Sequence, residues 1–117
     1  MSVVTACLTC RKITGKPGAF VLRKPFSQLR PNDSTFWVFV EIRLRTGERA
    51  FSIRVRVEDD EHEVVWDWGD ELYLLSGEHN QFAYMVELSK DLHYGQYAVH
   101  VEVNGRLEST RVLYFVD

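Results

Sequence analysis

The chain has only two cysteines, and that shortage closes off a class of protein. Two cysteines cannot staple a disulfide scaffold. No basic leader and no apolar run of membrane-spanning length are present, so secretion and a membrane span are not expected, and the cytoplasm is the default location. The stretch Val4-Thr5-Ala6-Cys7 has the small residues of a lipoprotein cleavage site but not the charged and apolar segments such a site needs. An excess of one charge is also missing. Fourteen basic against 17 acidic residues leave a net charge of −3, which gives no global attraction to nucleic acid or an anionic membrane.

The motifs of common chemistries are absent as well. There is no glycine-rich phosphate loop, no zinc-protease helix motif and no recognisable carboxylate pair. Ser27, Ser34, Ser52, Ser76 and Ser89 stand in none of the contexts that activate a serine. The expectation is a protein that is not an enzyme and uses no metal or cofactor. No segment keeps a helical period over ten or more residues, and no repeat or low-complexity tract is found.

What the chain does have is apolar and aromatic mass on a period of two. Its 117 residues are 45% hydrophobic and 13% aromatic, enough for one core in a single domain spanning residues 1–117. Residues 2–13 are β-formers, and after Gly15, Pro17 and Gly18 comes a second short strand at 19–22. Residues 23–34, with Pro25, Pro31 and Asn32-Asp33, read as an irregular crossing. Residues 36–45 and 50–58 alternate cleanly and are expected to form a hairpin across 46–49. The acidic run Glu58-Asp59-Asp60-Glu61 makes the next turn, and a strand at 62–68 ends at Gly69-Asp70. Residues 72–75 could be a strand or one helical turn, 77–80 a loop, and 81–88 a further strand. In the last quarter, Tyr97, Val99, Val101 and Val103 alternate with Ala98, His100 and Glu102 ahead of Asn104-Gly105, a pair suited to the two positive φ angles of a type I′ turn.

Short alternating strands with turn residues between them predict an all-β antiparallel sandwich of about seven to eight strands. The spacing Leu92-x-x-Gly95-x-Tyr97 is similar to the tyrosine corner of immunoglobulin-like domains, where the hydroxyl bonds to an upstream backbone group. In layout the chain resembles a family of small uncharacterised bacterial immunoglobulin-like β-sandwich proteins. Those proteins share the leaderless first strand, a proline-bearing crossing like Pro25 to Pro31, and a closing Gly-x-Tyr strand with an Asn-Gly hairpin like Gly95 to Gly105. The resemblance implies the sandwich fold and brings no catalytic residues.

The first candidate site is an arginine face. A hairpin turning at Gly47-Glu48 would pair Arg45 with Ala50, Arg43 with Ser52, Glu41 with Arg54 and Phe39 with Arg56. Trp37, Phe39, Glu41, Arg43, Arg45, Arg54 and Arg56 would then share the outer face, with Val38, Val40, Ile42, Leu44, Phe51, Ile53, Val55 and Val57 turned to the core. Such a face can anchor a protein or grip phosphates, and it can equally be a solvated surface in which Glu41 pairs with Arg54 and Glu58 with Arg56. A second candidate is the last strand, where Val112, Tyr114 and Val116 continue the buried face and Leu113 and Phe115 leave an apolar surplus for another strand or another copy to cover.

Four lesser features have ordinary structural readings. Cys7 and Cys10, three apart on a strand, point to opposite faces and cannot chelate together. The acidic run lacks calcium-loop spacing. Trp66 and Trp68 share a face, on which at least one should be buried. His100 and Glu102 share an outward face. The expected function is a non-enzymatic protein-interaction or assembly module whose partner is another protein or a second copy. The alternative is a small-ligand, nucleotide or nucleic-acid receptor holding phosphates on Arg43, Arg45, Arg54 and Arg56, and a hydrolase with an unrecognised site is a third reading.

Overall fold

A computed structural model describes residues 3–16, 19–30, 35–43, 50–73, 81–89 and 93–116. Among these residues are nine strands: β1 (Val3–Thr14), β2 (Val21–Pro25), β3 (Gln28–Leu29), β4 (Thr35–Arg43), β5 (Ala50–Glu58), β6 (Val64–Tyr73), β7 (Gln81–Glu87), β8 (Gly95–Val103) and β9 (Arg106–Phe115). They form a four-stranded sheet in the order β2-β1-β4-β7 and a five-stranded sheet in the order β3-β9-β8-β5-β6. All pairings are antiparallel except that of β3 with β9.

The period-two pattern explains the layers. Val38, Val40 and Ile42 of β4 are buried on one side of the core, and Ile53, Val55 and Val57 of β5 are buried on the other. Tyr97, Val99, Val101 and Val103 of β8 and Leu113 and Phe115 of β9 extend the five-stranded side, and Val86 and Leu88 extend the four-stranded side. Each fully buried valine or isoleucine favours the fold by about 1.5–3 kcal/mol over exposure, so these rows dominate its energetics.

Three expectations need correction. The expected hairpin of β4 with β5 does not exist, since β4 pairs with β1 and β7 while β5 pairs with β6 and β8. Both strands carry one apolar row, and placing them in facing sheets buries the two rows against one core. The tight pairing of β5 is instead with β6, across Asp59. There Oδ1 of Asp59 accepts from the backbone N–H groups of Glu61 and Glu63, both at 2.9 Å, so the acidic run does form a turn. Next, β6 does not stop at Gly69-Asp70 but runs through it, with Gly69 opposite Arg54 and Asp70 opposite Ile53.

The last strand is inverted relative to expectation. Leu113 and Phe115 are buried at 0% and 1% exposure, while Val112 and Tyr114 stand at 36% and 46%. The cause is a bulge. From the Asn104-Gly105 turn the ladder runs Val103 to Arg106 and Glu102 to Leu107, then skips a residue so that Val101 faces Ser109 and Tyr97 faces Leu113. One inserted residue moves every later side chain to the other face.

The turn itself is as expected, with φ of 53° at Asn104 and 77° at Gly105. Asn104 also lengthens the sheet: its N–H donates to the Ser52 carbonyl at 2.9 Å and its Oδ1 accepts from the Ser52 N–H at 3.0 Å. The crossing between sheets is pinned at Thr9, whose carbonyl accepts from Phe26 N–H at 3.0 Å and whose hydroxyl donates to the Phe26 carbonyl at 2.6 Å. Beyond it, the carbonyls of Ser27 and Leu29 accept from the N–H groups of Tyr114 and Val116 at 2.9 and 2.8 Å, fixing β3 along β9.

The tyrosine corner is present: the Tyr97 hydroxyl donates to the His93 carbonyl at 2.6 Å. Burial foremost, then Asp59 and Asp60, pushes the Tyr97 phenol up from its ordinary pKa. A raised folded pKa means that its contribution is fully present below the unfolded tyrosine value of about 10 and is lost as pH rises through the folded value. Tyr97→Phe should therefore cost about 1 kcal/mol at neutral pH and lose less stability than wild type on going to strongly alkaline pH, as urea denaturation would show.

Candidate interaction faces

Because β4 and β5 lie in different sheets, the expected arginine face is divided. Trp37, Phe39 and Arg43 belong to the four-stranded sheet, Arg54 and Arg56 belong to the five-stranded one, and Arg45 lies outside the described residues.

The outer face of the five-stranded sheet is a chain of paired charges. Register places Asp67 beside Arg56 on β6 and Glu102 beside Arg54 on β8, and the long side chains then reach diagonally. Arg54 donates through Nε to Asp67 Oδ1 at 2.8 Å and through its NH2 group to Oδ2, a two-pronged pairing. Arg56 lies 3.2 Å from Glu58 through Nε and 3.0 Å from Glu102 through NH2. The second oxygen of Glu58 is 3.1 Å from His100 Nε2, and His100 Nδ1 is 2.9 Å from the Thr110 hydroxyl. His100 thus engages Glu58 rather than Glu102, and Arg54 engages Asp67 rather than Glu41. Glu41 instead accepts a 2.8 Å hydrogen bond from Gln81.

The electrostatics follow the geometry. The hydrogen bond from Arg54 draws the Asp67 carboxyl below its ordinary pKa, with desolvation opposing and the Arg54 and Arg56 charges assisting. The same bond raises Arg54. A phosphate arriving here would have to displace carboxylates that already hold both guanidinium groups. An open hollow of about 570 Å³ at the end of this face is lined by Arg54, Glu71, Glu102, Ser52, Gly69 and Gly105, so carboxylates share it with the cation.

The outer face of the four-stranded sheet is built differently. Register lines up Leu8, Phe39 and Ala83 in one row and Cys10, Trp37 and Met85 in the next. All of these but Met85 belong to a second apolar cluster in which Cys10, Ile13 and Phe39 are buried and Ala6, Leu8, Phe20, Leu22, Trp37 and Ala83 pack around them. Phe39, expected outside, is only 7% exposed because Phe20 packs edge-on against it at 6.2 Å, with Leu22 in the same cluster. Trp37 is half-buried, Arg43 is exposed, and Met85 is 48% exposed. Leu8, Ala83 and Met85 were not expected to matter. The available signal was that Ala83 and Met85 put apolar residues on the polar side of their strand.

The remaining candidates resolve simply. Cys7 packs on the main core and Cys10 in the second cluster, on opposite sides of the sheet. Burial pushes both thiols up, opposed by Ser109 and Arg111 at Cys7 and by Arg111 at Cys10. Such thiols are poor nucleophiles. Trp66 packs against the main core, and Trp68 meets the Tyr84 ring at 4.7 Å across the two sheet margins. Among the described residues no three His, Cys, Asp or Glu side chains converge on a metal position. Leu113 and Phe115, being core residues, offer no surface.

No family model matches the chain, and no curated protein matches it in sequence. Among solved structures it is similar to an immunoglobulin-like protein from Pseudomonas aeruginosa, with a TM-score of 0.57 over 99% of this chain and 97% of that one. Identity between the two is 7%, so the likeness speaks to fold alone. The chain is an all-β sandwich of the immunoglobulin-like kind, as the tyrosine corner and the strand pattern implied.

Asp67 provides a direct check of the charge chain. Its folded pKa is depressed, so its contribution is present above the ordinary carboxylate value of about 3.9 and is lost as pH falls through the folded value. Arg54→Ala should move the Asp67 titration midpoint, followed by carboxyl NMR, upward towards that ordinary value and remove this acid-side loss.

Proposed function

We propose that this chain is a non-enzymatic protein-interaction or assembly module of the cytoplasm that docks its partner on the outer side of the four-stranded sheet. One contrast carries the reading. Arg54 and Arg56 of the five-stranded face are held by carboxylates, whereas the opposite outer face carries an apolar cluster that includes the half-buried Trp37, with the exposed Met85 opposite Trp37 in the ladder. Tryptophan and methionine are enriched at protein interfaces, and an apolar centre with polar margins is the usual anatomy of one. Here Arg43, Glu41 and Gln81 stand at the end of the apolar rows and supply such a margin. The two free cysteines suit a reducing compartment, where they would stay thiols. The phosphate-binding alternative draws no support from Arg54 and Arg56, which would first have to give up their carboxylates.

The test uses Met85→Lys, which places a charge on this face at an exposed position. The variant should keep the thermal midpoint of wild type. In affinity capture from the cells that make the protein, a partner held by wild type should be lost by the variant. Equal capture by both, or capture by neither together with a strictly monomeric wild type, sinks the reading.

A further inference from the structure

The charges of this chain are divided along its length. The first acidic residue is Asp33, whereas Arg11, Lys12, Lys16, Arg23, Lys24 and Arg30 all precede it. Six of the 14 basic residues thus stand in a stretch without a carboxylate, and the other eight share the rest of the chain with all 17 acidic residues. A charge of +6 on the first part is set against −9 on the second, which the overall value of −3 conceals.

Folding does not neutralise the basic part. Lys12, Lys16, Arg23, Lys24 and Arg30 are exposed, and among the described residues none of the five is paired with a carboxylate. Lys12 stands directly opposite Arg23 in the ladder of β1 with β2, a like-charge pair that costs stability. Arg54 and Arg56 on the other sheet are, by contrast, held by Asp67, Glu58 and Glu102.

One hollow gathers two of these cations. It measures about 470 Å³ and is lined by Arg11 of β1 and by Phe26, Ser27, Gln28 and Arg30 around β3, with no carboxylate among the described residues that line it. Its wall is held from both sheets. Phe26 is tied to Thr9 through its N–H at 3.0 Å and its carbonyl at 2.6 Å, and the Ser27 carbonyl accepts from the Tyr114 N–H at 2.9 Å. The guanidinium carbon of Arg11 lies 4.9 Å from the centre of the Phe26 ring, a cation–π contact that fixes this charge at the wall. We propose that the hollow binds the phosphate group of a small phosphate monoester. A carboxylate has two oxygens and is served by one guanidinium fork, whereas a monoester presents three acceptor oxygens and close to two charges. Two guanidinium groups can take these up together, with Ser27 and Gln28 supplying neutral donors. The volume falls within the range of about 300–1,000 Å³ usual for small-ligand sites.

None of the lining residues belongs to the apolar cluster of the outer face, so this site goes beyond the protein-interaction reading and stands or falls apart from it. Phenyl phosphate titrated into the whole chain in a calorimeter at low salt should bind saturably at one site, and added salt should weaken it. Benzoate, the same ring with a carboxylate, should bind at least about tenfold more weakly. Arg30→Ala should weaken phenyl phosphate by about tenfold or more and Arg30→Glu should abolish its binding, while Arg54→Ala should bind as wild type does. Because Arg30 is exposed, both of its variants should keep the thermal midpoint of wild type, which separates loss of binding from loss of fold. The inference is overturned if wild type shows no saturable binding, if benzoate binds as well as phenyl phosphate, or if Arg30→Ala and Arg54→Ala bind equally.

Discussion

The structure depends on the burial of two apolar rows, Val38, Val40 and Ile42 against Ile53, Val55 and Val57, from strands adjacent in sequence that lie in opposite sheets. Each row needs a full apolar wall opposite it. Once β4 and β5 face each other, each must find backbone partners elsewhere, and this recruits β1 and β7 on one side and β6 and β8 on the other. The edges, the exposed faces and the separation of the arginines are all consequences of that placement.

The two outer faces then differ for reasons already present in their side chains. On the five-stranded sheet, alternate positions of β5, β6 and β8 supply Arg54, Arg56, Asp67, His100 and Glu102, which neutralise one another across the ladder. Along β9 the same face also carries Val112 and Tyr114, both exposed. On the four-stranded sheet the corresponding positions supply Leu8, Cys10, Trp37, Phe39, Ala83 and Met85, and only part of that area is covered from within by Phe20 and Leu22.

Most of the fold was legible because alternation is a local property. The inward rows of β4, β5 and β8 follow from a period of two, and Asn104-Gly105 and Tyr97 mark the closing turn and the corner by residue type alone. Partner choice was not legible. Nothing within residues 36–58 says whether two consecutive strands lie side by side or face to face, so the arginines appeared to share a surface that topology divides. The inversion of Leu113 and Phe115 has another cause. A single extra residue between the pairs Glu102–Leu107 and Val101–Ser109 leaves no mark on composition or alternation, yet it reverses every face beyond it. Phe39 lies on the outer side with Trp37 as its alternation implies, but it is covered there by Phe20, just ahead of β2, and by Leu22 of β2, whose side chains gave no hint of where they would lie.

The parallel ladder between β3 and β9 joins a piece of chain near residue 28 to one near residue 114. During synthesis, Gln28 and Leu29 leave the ribosome long before the strand they must lie against has been made. Leu29, fully buried in the finished core, meets its ladder partner only when Phe115 emerges. The sandwich is thus closed by its last strand, and a nascent chain halted before Phe115 would expose the margin of its core to whatever holds unfinished chains.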